Sequence, residues 1–385
     1  MTATSSPETT GPSEALIEQL RSLPKVSLHD HLDGGLRPAT LIELAGPAGV
    51  ELPTQDAKVL ARRFRENADS GSLERYLEAF ALTTGVMQTA ENLRRVAREY
   101  VEDLAEDGVV YGEVRWAPEQ HQRQGLSLDE AVEAVQAGLD EGMAALEDRD
   151  EFVVVGQIIS AMRQSDRAKE AVELTVRHRD RGVVGFDIAG PEHGFPPSRF
   201  AAAFTTLAEE MIPATVHAGE ADGVESVRDA LVSGRARRLG HGVRVAQDIS
   251  ISEEPVTSDE DGEAYEVGLG EVARWVRDRQ VHLEVCPTSN LQTGAIAPFG
   301  PEDAPAAITD HPFDMLYQLG FNVGVNTDNR LVSGVTLSGE LALLAEAFDY
   351  DLAELADFQI NALESAFLGH EEREALSALI LEAWQ

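Results

Sequence analysis

The stretch KVSLHDH (Lys25–His31) is a short apolar run that closes on three ionisable side chains, and similar runs recur along the chain. Outward from it come VVYGEVRW (Val109–Trp116), FVVVGQIIS (Phe152–Ser160) and VVGFDIAG (Val183–Gly190). These are followed by IPATVHAGE (Ile212–Glu220), RLGHGV (Arg238–Val243), VHLEVCPTS (Val281–Ser289) and NVGVNTD (Asn322–Asp328). Each has the length and β-branched content of a buried strand. Amphipathic helical segments separate them: Glu91–Glu106, Leu128–Glu147, Arg167–Arg179, Ser198–Glu210, Val224–Ser233 and Leu269–Asp278. Eight strands alternating with helices predict an α/β fold, a single (β/α)8 TIM-type barrel. The competing doubly wound sheet finds no G-x-G-x-x-G or Walker loop after any of the strands.

Two excursions break the alternation. After the first strand, Leu36–Thr89 holds a helical insertion, including SLERYLEAF (Ser72–Phe80), at the face where a barrel carries its chemistry. Arg62, Arg63 and Arg65 within it read as a solvated helix face. After the sixth strand, the acidic segment Ile249–Val267 lacks apolar periodicity and is expected to be a mobile loop. Residues 1–12 are expected to be a disordered tail and 13–385 one domain, completed by extra C-terminal helices from Ser338, Leu352 and Glu371.

With 385 residues, 43% of them apolar, the chain can build a large core. Its net charge of -37, from 31 basic and 68 acidic residues, repels nucleic acid and anionic membranes and suits a small-molecule partner. Lysine occurs only at 25, 58 and 169. The single cysteine, Cys286, excludes a disulfide framework or a Cys-based zinc site within the chain. The first residues lack the basic start and apolar run of a signal peptide, and no stretch is long enough to span a bilayer. A soluble, cytoplasmic protein is expected. Nothing in the sequence selects between monomer and homodimer.

Barrel enzymes draw their chemistry from the C-terminal ends of strands. Here those ends carry His29-Asp30-His31, His217-Ala-Gly-Glu220, Gly240-His241-Gly242 and Asp328-Asn329. Strand residues i and i+2 share a side, so His29 and His31 both face the axis. With His217 and Asp328 they make a three-nitrogen, one-oxygen set that suits one zinc ion and leaves room for a water. A zinc ion lowers the pKa of such a water to ~7. Taken singly, each residue has a plainer use: a structural histidine, a helix N-cap at Asp328, a solvated loop carboxylate at Glu220. The fourth strand end carries no lysine, so a bridged two-metal centre is not expected.

Five blocks resemble the adenosine deaminase family in content and order: PKVSLHDHLDG (Pro24–Gly34), DIAGPE (Asp187–Glu192), HAGE (His217–Glu220), RLGHG (Arg238–Gly242) and NTDN (Asn326–Asn329). Met162–Arg163 and CPTSN (Cys286–Asn290) are similar as well, and the resemblance runs from about Ser13 to the C-terminus. It implies zinc held by His29, His31, His217 and Asp328, and water attack on purine C6. It further implies that Glu220 donates a proton to N1 and that His241, with Asp328, orients or deprotonates the water. The Gly190 N–H would meet N3, Asp33 would accept from the ribose 5′-hydroxyl with His31 nearby, and position 329 would donate to N7. The family often carries aspartate at that last position; Asn329 always has N–H donors, so the role survives.

The resemblance implies adenosine, with 2′-deoxyadenosine accepted as well, as substrate in purine salvage; none of the residues named above reads the 2′-hydroxyl. Free-adenine deaminases tend to carry Glu where Asp33 stands, and a 5′-phosphate would meet like charge there. A deaminase of a 5′-extended adenosine such as aminodeoxyfutalosine is the runner-up reading. An inactive purine-binding barrel, and a mononuclear amidohydrolase of amides or lactones, are the remaining alternatives. Iron, cobalt or manganese could replace zinc.

Overall fold

The computed structural model describes residues 12–69, 73–149, 151–252, 254–259 and 262–385. Eight parallel strands run in the expected order: β1 (Lys25–His31), β2 (Val109–Trp116), β3 (Val154–Met162), β4 (Val183–Ala189), β5 (Thr215–Ala218), β6 (Arg238–His241), β7 (His282–Val285) and β8 (Val323–Val325). They form two four-stranded sheets, β1–β4 and β5–β8, each ordered by sequence. Parallel bridges Phe186↔Ala214 and Asp30↔Asp328 join the sheets at both seams and close the barrel. One continuous apolar cluster, from Leu20 to Trp384, packs strands against the surrounding helices.

The β1–β8 seam is closed largely by side chains. Asn326 Oδ1 accepts from the N–H groups of both Leu28 (2.8 Å) and His29 (2.9 Å), and Gln359 Oε1 accepts from Val26 N–H (2.9 Å). Two consecutive N–H groups can reach one acceptor because β1 carries an irregularity between Ser27 and Asp30. Beyond it, His31 N–H donates to the Asp328 carbonyl (2.7 Å) and Asp328 N–H to the His29 carbonyl (2.9 Å). The seam therefore sets the mutual position of three of the expected metal ligands.

Strand ends differ from the sequence reading where local chemistry intervenes. The seventh run stops at Val285 because Pro287 opens a short helix, Pro287–Gln292, where its missing N–H costs nothing. The acidic stretch expected to be a loop contains three-residue strands. Ile249–Ile251 pairs antiparallel with Val267–Leu269, and Thr257–Asp259 with Gly262–Ala264. Ile251, Val256 and Val267 there are exposed, and strands of three residues are too short to leave a periodic signature in the sequence. Residues 1–11 of the expected tail, and Ser72, lie outside the described residues. Among those described, no helix is long and apolar enough to cross a membrane.

The insertion after β1 contributes helices Pro38–Ala48, Ala57–Ala68 and Leu73–Val86. Arg65 is exposed, as the solvated helix face predicts, and donates from Nη2 to the Gly334 carbonyl (2.5 Å), while Gln292 Nε2 donates to Asp69 (2.8 Å). These bonds tie the insertion to the loops after β8 and β7, at the end of the barrel that holds the histidines.

Asn326→Leu should lower stability by roughly 2–5 kcal/mol, because it strands two buried N–H groups. Urea unfolding measures this; a loss under 1 kcal/mol, on the order of one ordinary exposed contact, would count against the seam's dependence on that amide.

Candidate active site

One ring nitrogen each from His29, His217 and His241 and one carboxylate oxygen of Asp328 lie within 4.8 Å of one another. His31 Nε2 joins them, 3.3 Å from both His217 Nε2 and Asp328 Oδ1. The structure thus brings together all four ligands expected from the sequence, and His241 beside them. Each sits at a strand end, as the i, i+2 spacing and the barrel geometry require. His241 and Asp328 both have φ near 60°, a conformation uncommon for non-glycine residues and concentrated at functional sites.

Second partners set which nitrogen faces the cluster. His29 Nδ1 lies 2.9 Å from Glu284 Oε2, and His217 Nδ1 lies 2.8 Å from Asp187 Oδ2. A carboxylate cannot donate, so His29 Nδ1 carries the proton and its Nε2 presents a lone pair, and the nearness of the Asp187 carboxylate favours the same arrangement in His217. Among the described residues His29 Nε2 has no hydrogen-bond partner, though it is fully buried; the Asp328 Oδ1 that faces it is 3.5 Å away. Burial, with the charge of Arg115 nearby, pushes His29 down to about 4, and burial drives His31 well below its usual range. His217 runs the other way: burial opposes its protonation, but the Asp187 charge and hydrogen bond raise it. The same carboxylate makes a neutral His217 a stronger donor to a cation.

Beneath the cluster lies a buried ionic floor. Glu284 Oε2 meets Arg115 Nη2 (2.7 Å), Glu284 Oε1 meets Arg238 Nε (2.7 Å) and Thr215 Oγ1 (2.8 Å), and Arg238 also pairs with Glu113. Arg115 reaches Asp187 at 3.4 Å. Burial alone would raise Asp187, but His217 and Arg115 more than offset it and hold it at about 2. Two guanidiniums among three carboxylates leave one negative charge, and Asp328 adds a second. An orphaned imidazole nitrogen, fixed lone pairs and a doubly negative surround fit a divalent cation with nitrogen and oxygen ligands.

The remaining candidates surround this point. Glu220 Oε2 lies 3.6 Å from His241 Nε2. Ser289 Oγ donates to Asp328 Oδ2 (2.6 Å), leaving Oδ1 for the cluster. Gly190 has φ +96°, a backbone conformation that strains any residue with a Cβ, and a Cβ there would also press on Gln164 Oε1 at 2.6 Å. Asp33 is buried, burial raises it to about 6, and its Oδ1 has no hydrogen-bond partner among the described residues. Asn329 is buried against the turn Leu32–Gly34; a Cβ at Gly34 would overlap its amide oxygen.

The barrel and the His/Asp cluster at its strand ends give the molecule the make-up of a barrel enzyme with a candidate metal-binding group. Comparison with known proteins narrows this. The family model for adenosine deaminase matches residues 24–383, and the chain belongs to that family. It is 50% identical over 360 residues to adenosine deaminase 1 of Streptomyces coelicolor, covering 93% of this chain and 86% of that one. It is likewise 50% identical over 361 residues to an adenosine deaminase of Mycobacterium sp. strain JLS, covering 94% of each. Among solved structures, adenine deaminase from Arthrobacter aurescens superposes with a TM-score of 0.76 at 25% identity, covering 94% of this chain and 98% of that one.

Several residues that shape the site carried no role in the sequence reading: Glu284, Arg115, Arg238, Ser289 and Glu192. The signal available for the first three was a charged residue inside an otherwise apolar strand. Glu192 is the clearest case. Its Oε1 accepts from Gly219 N–H (2.7 Å) and Ser226 Oγ (2.5 Å). Its Oε2 accepts from the N–H groups of Glu220 (3.1 Å), Ala221 (2.6 Å) and Asp222 (3.0 Å). One carboxylate thus holds the backbone that carries Glu220. Glu192→Gln puts an NH2 group against donors, and should cost about 2–4 kcal/mol and lower kcat roughly tenfold or more through a displaced Glu220. Hydrogen exchange at 219–222 should rise with it; unchanged exchange and turnover would contradict this role.

Proposed function

We propose that this protein catalyses the hydrolytic deamination of adenosine, and of 2′-deoxyadenosine, to the corresponding inosine and ammonia, using one zinc ion per subunit. The observation that carries the reading is the convergence of lone-pair nitrogens from His29 and His217 on Asp328 Oδ1, with Glu220 and His241 alongside. We assign His29, His31, His217 and Asp328 as the ligands; three nitrogens and one oxygen leave a position open. When bound, the zinc supplies a water acidic enough to attack near neutral pH.

The protein's own groups do the rest. Glu220 donates a proton to purine N1 as C6 is attacked, neutralising charge that would otherwise build on the ring. His241 and Asp328 hold the attacking water and steer its proton. The Gly190 N–H faces N3, with no Cβ to keep the ring away, and the Asn329 amide donates to N7. Asp33, with an unpartnered oxygen, accepts from the ribose 5′-hydroxyl, and its carboxylate disfavours a phosphate there. We read residues 13–385 as one catalytic domain, with a single buried free cysteine that suits a cytoplasmic enzyme.

Adenosine should convert to inosine with loss of its absorbance band, and the activity should vanish on metal removal and return with zinc. Glu220→Gln should bind zinc normally and lose turnover by about 10²-fold or more. Zinc-loaded protein that leaves adenosine intact would overturn the substrate, and an active Glu220→Gln variant would overturn the acid.

A further inference from the structure

A chain of three buried hydrogen bonds runs from a backbone amide to the ring of His241. Phe313 N–H donates to His311 Nδ1 (3.0 Å). His311 Nε2 lies 3.3 Å from Asn290 Oδ1, and Asn290 Nδ2 lies 3.0 Å from His241 Nδ1. His311, Asn290 and His241 are buried.

The direction of the chain follows from its first member. A backbone N–H can only donate, so His311 Nδ1 must be the acceptor. Burial pushes His311 down to about 3, so the ring stays neutral, with one acceptor and one donor. Its Nε2 therefore carries the proton and donates, which requires the oxygen of the Asn290 amide to face it. The Asn290 NH2 group then faces His241 and donates to Nδ1. His241 Nδ1 is thus an acceptor, and the proton of the neutral ring lies on Nε2, the atom nearest Glu220.

We propose that His311 and Asn290 are positioning residues that fix His241 in its Nε2–H tautomer, making it a hydrogen-bond donor toward the reacting water. The inference rests on the reading of His241 as part of the reaction site. Its consequence for that reading is specific. With Nε2 already protonated, His241 donates to the attacking oxygen, and the proton released by the water passes to the Asp328 carboxylate. The same proton keeps the His241 lone pair from filling the position left open by the ligand set, although His241 lies within reach of His29, His217 and Asp328. Ser289 and Asn290, adjacent in the helix Pro287–Gln292, thereby orient the two groups that handle the water: Ser289 holds Asp328, and Asn290 holds His241.

The test is the tautomer itself, read by ¹⁵N–¹H imidazole spectra of zinc-loaded, ¹⁵N-histidine-labelled protein, with His241 assigned by its absence in a His241→Gln variant. The wild type should show a protonated Nε2 and a bare Nδ1. Asn290→Asp is nearly isosteric and offers only acceptors, so Nδ1 of His241 should gain a proton, and kcat should fall at least about tenfold with KM little changed. His311→Phe releases the amide to turn over and should give mixed tautomers; if it fails to fold, Asn290→Asp stands as the test. A wild-type ring protonated on Nδ1, or an Asn290→Asp spectrum identical to wild type, overturns the relay. A switched tautomer with unchanged turnover upholds the relay and instead removes His241 from the reaction, so the two readings fail separately.

Discussion

The carboxylate of Glu284 is the point on which the barrel interior depends. It stands on β7 and bonds His29 of β1, Arg115 of β2, Thr215 of β5 and Arg238 of β6. Five of eight strands thus meet at one fully buried group. In a water-free interior, such an arrangement persists only because every charge has partners, and losing one member costs about 3–5 kcal/mol. The tight constraint carries a functional dividend: the oxygen that neutralises Arg115 also fixes the tautomer of His29. Stability of the floor and readiness of the metal-binding face are one property.

The pattern recurs outward from that floor. Asp187 does for His217 what Glu284 does for His29, Ser289 orients Asp328, and Asn290 orients His241. Glu192 gathers four consecutive backbone N–H groups and so fixes the loop of Glu220. No candidate reactive side chain in this set depends on its own rotamer preference alone. Preorganisation of this kind is what lets fixed dipoles act without reorganising during reaction. It also explains how left-handed backbone at His241 and Asp328 is tolerated, since the bonds around those residues over-determine their conformation.

The fold was legible because its signal is local. Short β-branched apolar runs and intervening helical faces are written within ten or twenty residues, and all eight strands lie where those runs occur. The convergence of His29, His31, His217 and Asp328 was legible because strand ends meet at one face in any barrel, so their positions were enough to group them. The strands of the acidic arm were missed because each is three residues long, too short to leave a pattern that reveals a strand. The exposed face of Arg65 was legible, but its partner was not, because the Gly334 carbonyl is a backbone atom far along the chain that no side-chain pattern announces.

The barrel, the order of its strands and the set of side chains at its open end could be read from residue order, since they follow from local apolar runs and strand polarity. Which atom of each side chain is used could not. That Nε2 of His29 is bare while Nε2 of His241 is protonated depends on Glu284, Asn290 and His311, each tens or hundreds of residues from the ring it controls. A proton's position on an imidazole is set by contact across space, and folding alone makes those contacts.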